Sequence, residues 1–216
     1  MKRILTFLLF GLFLISCEEQ KNMQSDELKE EMADRELKRL SEGEIMAKAK
    51  ELGGEIAKIS QSTLGEQLKK AISEEGVPGA LKYCNVNAYP LLDSLQKTYG
   101  ASIKRASLRA RNVLDEPNSI ERQILEAYQY NIEQGIDLDE NVQRLGDTAI
   151  LYSKPIILNN GICLNCHGDP QNEIGASNSE LIQELYPNDN AQGHKMGDLR
   201  GMWSITLSKK EIIRSL

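Results

Sequence analysis

The chain has 216 residues, 26 of them basic and 32 acidic, and a formal net charge of −6. That acidic balance repels phosphate backbones, so nucleic acid is not expected as a partner. Only four cysteines and two histidines are present, and most of the chemistry must be assigned among them.

The N-terminus reads as an export signal. Lys2 and Arg3 precede an almost wholly apolar run from Ile4 to Ile15. The run is shorter than the roughly 20 residues a spanning helix needs but suits a signal-peptide core. It closes in "LISC", residues 14–17, which resembles a lipoprotein signal-peptidase site. Residues 1–16 are therefore expected to be removed and Cys17 to carry lipid, several acyl chains on one residue giving a stable anchor. Without Lys2 and Arg3 the mature chain carries a net −8. Residues 17–42 are charged and lack aromatics, and read as a tether that becomes helical toward its end.

Residues 43–216 form one domain without internal repeats. Ile45, Ala49, Leu52, Ile56 and Ile59 recur at helical spacing. A second helix is predicted from about Pro78, with a stripe of Leu81, Cys84, Ala88, Leu91, Leu92 and Leu95 that Pro90 should kink or interrupt. A third follows Asn118, which can cap it with Glu121, and Gly135 should end it. Residues 101–108, 148–158 and 202–207 read as strands, and 185–201 as a long ordered loop. Long helices first and scattered strands later predict an α+β fold.

"CLNCH", residues 163–167, concentrates two cysteines and a histidine. A structural zinc site usually needs four ligands in two pairs, and no second pair exists here; Cys84, His194 or a carboxylate would have to complete one. A thioredoxin-like dithiol should open a helix after a strand, whereas this pair lies between turn signals. The spacing does suit c-type haem attachment, in which Cys163 and Cys166 hold the porphyrin by two thioethers and His167 becomes an iron ligand. Export supplies the compartment where such attachment occurs. Cys84 remains, either a small hydrophobe on a core stripe or a second, thiolate ligand.

Several stretches together resemble a PAS-like c-type haem domain family of exported bacterial and cyanobacterial proteins. They are "YCN" around Cys84, "KRASLRARN" (104–112), Pro117 with Glu121, "CLNCHGDP" (163–170) and "YPNDNAQGHKMGDLRGMWS" (186–204). The resemblance implies a PAS-like antiparallel sheet flanked by helices, here preceded by a long N-terminal helix. It also implies iron ligation by His167 and Cys84. Val113 departs from a frequent proline, and His194 from a more usual aromatic, which makes His194 a rival ligand beside Met196 and Met202.

Lys104, Arg105, Arg109 and Arg111 form a basic cluster in an acidic chain. Guanidinium forks bind carboxylates, so Arg105 and Arg111 are the expected contacts to haem propionates or edge. The functions left open are redox or gas sensing or single-electron transfer at the cell envelope, with a redox partner protein or small gas. The rivals are a peroxidase-type haem enzyme using His194, and a haem-free zinc or disulfide module. Replacing Cys17 with Ala should abolish fatty-acid labelling of the chain; unchanged labelling would remove the lipid anchor.

Overall fold

The computed structural model describes residue 29 and residues 41–216. The export signal, Cys17 and most of the tether lie outside the described residues. The chain divides into Met1–Glu44 and Ile45–Leu216, and the second unit holds the sheet and its helices.

Helix α1 spans Glu42–Tyr99. Ser41 and Glu44 start it reciprocally: the Glu44 N–H donates to Ser41 Oγ at 3.2 Å, and the Glu44 carboxylate accepts from the Ser41 N–H at 2.8 Å. At Gly76 the backbone leaves helical geometry, with φ 70° and ψ −167°. Pro78 explains the position of the break, because its ring would clash with the preceding turn of an unbroken helix. The two predicted helices are thus two rods joined at Gly76. Pro90, by contrast, does not interrupt the second rod. Both Pro90 and Val86, whose carbonyl loses its partner, are exposed, so water can replace the missing donor.

Four strands follow: β1 (Ser102–Ala106), β2 (Asn141–Leu145), β3 (Ala149–Ile157) and β4 (Leu199–Ser208). They form one antiparallel sheet in the order β1-β4-β3-β2. Helix α2 (Ser119–Glu133) connects β1 to β2 through the capping box predicted at Asn118 and Glu121, and Gly135 follows its end at φ 65°. Short helices α3 (Leu164–His167), α4 (Ala176–Leu185) and α5 (Lys209–Arg214) complete the described residues. Strand β2 and helices α4 and α5 were not predicted. The β2 sequence "NVQRL" lies at the sheet edge with no residue fully buried, so it lacks an alternating apolar signal.

The sheet is covered on both faces. Helix α2 packs Ile124, Leu125 and Tyr128 against Ala106, Leu151 and Met202. Glu121 fastens this layer: its carboxylate takes the Lys104 ammonium at 2.9 Å and the Ser204 hydroxyl at 2.7 Å. Burial alone would raise the pKa of this carboxyl, but the Asn118 N–H, Ser204 and Lys104 together hold it low. On the opposite face lie Tyr152 and Trp203. Gly53 of α1 fits against the Tyr152 ring so closely that an added Cβ would overlap it. The indole N–H of Trp203 donates to Gln61 Oε1 at 3.0 Å. Each fully buried Leu or Ile side chain in these layers contributes about 2 kcal/mol. This three-layer packing leaves a gap between α1, the sheet and the segment from Asn160 to Asp198, and the candidate site lies there.

Candidate cofactor site

The segment carrying Cys163, Cys166 and His167 is held at both ends by side-chain caps. Asn160 Oδ1 accepts from the Ile162 N–H and starts a 3-10 turn over Gly161–Cys163, which runs directly into α3. Asp169 then caps the Pro170–Ile174 turn by accepting from Gln171 and Asn172. Two residues three apart on a helical turn share a face. The two thiols therefore project together, with His167 adjoining them.

A loop predicted from its Gly, Asn and Asp content now gains a purpose. Residues 186–198 are bonded to this segment through two backbone hydrogen bonds and a side-chain contact. The Gly193 N–H donates to the Gly168 carbonyl at 2.7 Å, and the His194 N–H to the His167 carbonyl at 2.8 Å. His167 Nδ1 is 2.9 Å from the Ala191 carbonyl. A carbonyl can only accept, so Nδ1 carries the proton. Burial first, then the charges of Arg200 and Arg111, lower the pKa of His167 well below its ordinary value, so the ring is neutral. Its Nε2 therefore presents a lone pair, which faces Arg200 Nε at 3.4 Å.

The basic cluster is distributed rather than solvated. Lys104 pairs with Glu121. Arg109 Nε donates to the Asn190 carbonyl at 3.2 Å, and its Nη2 donates to Gln192, so it holds the loop. Arg111 is a clamp: Nε donates to Asp189 Oδ1 at 3.0 Å and Nη2 to the Cys166 carbonyl at 2.6 Å. Its fork, expected to meet a cofactor, is thus largely taken up in joining α3 to the loop. Arg105 is only 3.8 Å from Asp115, whose Oδ1 already accepts the Tyr89 hydroxyl at 2.7 Å, and the buried Arg105 Nε has no hydrogen-bond partner among the described residues.

These groups surround one cleft that is partly open to solvent. Cys84, Cys163, Cys166 and His167 all line it, together with Arg105, Arg111 and Arg200. Apolar walls come from Leu64, Leu68 and Ile72 before the Gly76 break, from Leu81 after it, and from Ile156 and Leu158 of the sheet side. Burial pushes the Cys84 thiol pKa up, while Arg105 and Arg111 pull it back. Burial also raises the Cys166 thiol, to about 11. All three described cysteines are free thiols.

The rival ligands lie elsewhere. Met202 is fully buried in the α2 layer, and Met196 is an exposed loop residue. His194 is buried beside His167, edge to face with ring centroids 6.3 Å apart, and it is not among the cleft-lining residues. Burial, then Arg109 and Arg200, lower its pKa to about 4. Among the described residues no three His, Cys, Asp or Glu side chains stand close enough together to hold a metal ion. Sequence reasoning missed Asp115, Gln61, Trp203 and, most of all, Arg200, which lies in a loop-to-strand stretch with no charge cluster to signal it.

An α+β chain whose sheet and kinked helix enclose a cleft lined by thiols, an imidazole and guanidinium groups is thereby defined. Residues 21–208 match the family model Tll0287-like, and the chain belongs to that family. The crystal structure of the cyanobacterial heme-protein Tll0287 is 25% identical, over 72% of this chain and 95% of the other, at a TM-score of 0.49. No curated protein matches the chain.

The clamp makes a direct prediction. Replacing Asp189 with Asn strands the buried Arg111 charge and should destabilise the chain by about 3 kcal/mol, read from denaturant midpoints. Burial alone would raise the Asp189 pKa, but Arg111 overrules it and holds the carboxyl low. Its contribution is therefore fully present above the ordinary carboxylate range and is lost as pH falls through the lowered folded value. The Asp189→Asn variant should lack that part of the acid-side loss of stability.

Proposed function

We propose that the cleft holds one covalently attached haem c, in a PAS-like domain anchored through Cys17 to a membrane of the cell envelope. The reading gives the protein a role in redox or small-gas sensing, or in single-electron transfer to a partner protein. One observation carries it: Cys163, Cys166, His167 and Cys84, of which Cys84 lies 79 to 83 residues from the others, converge on a single cleft. Membership of a family represented by a heme-protein supports the same cofactor. The antiparallel sheet flanked by helices is compatible with the PAS-like reading.

The donor set fits the group. Two free thiols on one helical face suit attachment at two points, and the neutral His167 offers an unprotonated Nε2 of the kind metals bind. The Ala191 carbonyl fixes the ring's tautomer and orientation, as such second partners do for ligating histidines. Apolar walls suit a porphyrin face, and guanidinium groups at the cleft suit a ligand carrying carboxylates. Bound there, haem supplies a one-electron couple at iron. Cys163 and Cys166 would tether the group, and His167 and Cys84 would ligate its iron. Arg105 is a contact to the porphyrin edge, and Arg111 acts on the tether by holding the Cys166 carbonyl.

The other readings are less well supported. A zinc module needs a clustered ligand set, and a disulfide module a bonded pair. A peroxidase-type site needs an acid–base group facing the far side of the iron, whereas His194 lies beside the ring of His167.

The test is the ferric EPR spectrum of the purified full chain beside Cys84→Ser and His194→Ala. Thiolate ligation predicts a low-spin signal that is lost in the Cys84 variant and kept in the His194 variant. The reverse would make the iron bis-histidine and remove Cys84 from the site.

A further inference from the structure

The edge of the cleft carries a cation that no part of the motif accounts for. Strand β4 is bulged where it leaves the loop: Ile156 pairs with Gly201 and Ile157 with Leu199, so Arg200 is an extra residue without a partner on β3. A bulge of this kind re-aims a side chain, and bulges concentrate beside functional sites. Leu199 packs into the α2 layer while Arg200 and Gly201 line the cleft on the other side.

The guanidinium is held but not neutralised. Arg200 Nη1 donates to Ser107 Oγ at 2.9 Å and to the Arg109 carbonyl at 3.2 Å, and Nε donates to His167 Nε2 at 3.4 Å. Ser107 in turn donates its hydroxyl to the Arg200 carbonyl at 2.7 Å, which satisfies the bulged backbone. Every one of these partners is formally neutral. Nη2 makes no hydrogen bond among the described residues, and no described carboxylate lies within ion-pair distance of the group. Arg111 has Asp189 in full, and Arg105 has Asp115 at 3.8 Å. Of the three guanidinium groups lining the cleft, two therefore have a carboxylate partner, Asp189 and Asp115. Burial, Arg111 and Arg105 depress the pKa of Arg200 to about 10, which leaves it cationic at neutral pH.

A part-buried guanidinium at the cleft edge with no carboxylate in ion-pair contact, offset only at a distance by Asp115 and Asp189, suits a ligand that brings its own counter-ion. We infer that Arg200 is a carboxylate-binding residue of this cleft and, on the haem reading above, the main anchor of a haem propionate, in a role the sequence assigns to Arg105 and Arg111. His167 Nε2, which Arg200 faces here, is the atom the iron takes on that reading. Arg200 must then give up this contact, while Ser107 and Arg109 can retain Nη1.

The experiment compares the mature full chain with Arg200→Gln and Arg200→Lys. The readouts are haem per chain by pyridine haemochrome, resonance Raman in the propionate-bending region, and midpoint potential. With haem content at the wild-type level, Arg200→Gln should shift the propionate band and lower the potential, because a positive charge near the iron is lost. Arg200→Lys keeps the charge but replaces a fork by a point donor, so it should hold the potential near wild type with a smaller band shift. Should the Gln variant fail to accumulate, the Lys variant decides alone, and a propionate band identical to wild type overturns the assignment. An unchanged band and potential in Arg200→Gln overturn it too, and leave the haem reading standing. A wild-type chain without haem overturns both.

Discussion

The buried clamp of Arg111 on Asp189 and the Cys166 carbonyl is the constraint on which the cleft depends. It joins three stretches distant in sequence: the segment after β1 that carries Arg111, helix α3 with Cys166, and the loop that carries Asp189. The loop's backbone bonds to Gly168 and His167, and the Ala191 carbonyl on His167 Nδ1, act along the same seam. A buried ion pair adds little net stability against an apolar replacement, but losing one partner is severely destabilising. Its value here is geometric. Without Arg111, α3 is a single short turn held by the flanking caps at Asn160 and Asp169 and by the loop's bonds to His167 and Gly168.

The second requirement is that α1 change direction. A straight helix could cover the Tyr152 face of the sheet or run past the thiols, but the break at Gly76 lets one helix do both. Leu64, Leu68 and Ile72 wall the cleft from one rod, while Leu81 and Cys84 reach it from the other. Glycine is needed there because φ is 70°, a region other residues enter only with strain. Pro78 then falls in the first turn of the second rod, where a missing N–H costs nothing. Sequence, helix direction and the position of a lone thiol are thus one chain of cause.

Much of this was readable from the residues. The capping box at Asn118 and Glu121, the helix stop at Gly135 and three of the four strands follow from local chemistry, and local chemistry survives folding. The association of Cys163, Cys166 and His167 is a matter of spacing alone. Strand β2 and helix α4 were illegible because a half-exposed edge strand and a short, polar helix carry weak periodicity. Pro90 was over-read: a proline whose orphaned carbonyl faces water need not break a helix. Arg200 was invisible for a different reason. Its orientation is set by a bulge, a mismatch of register between strand partners 42 and 45 residues apart in sequence, and no local pattern encodes it. Charge clustering drew attention to Arg111 instead, whose fork is largely committed to Asp189 and Cys166.

The central claim is that two thioether bonds fix the cofactor in this cleft, and the most direct measurement is the alkaline pyridine haemochrome spectrum of the purified full chain. Attachment through both Cys163 and Cys166 predicts the α-band position of a haem whose two vinyl groups are saturated, at one haem per chain. A band at the position of free-vinyl haem, or no haemochrome at all in protein matured in an oxidising compartment, would contradict the account.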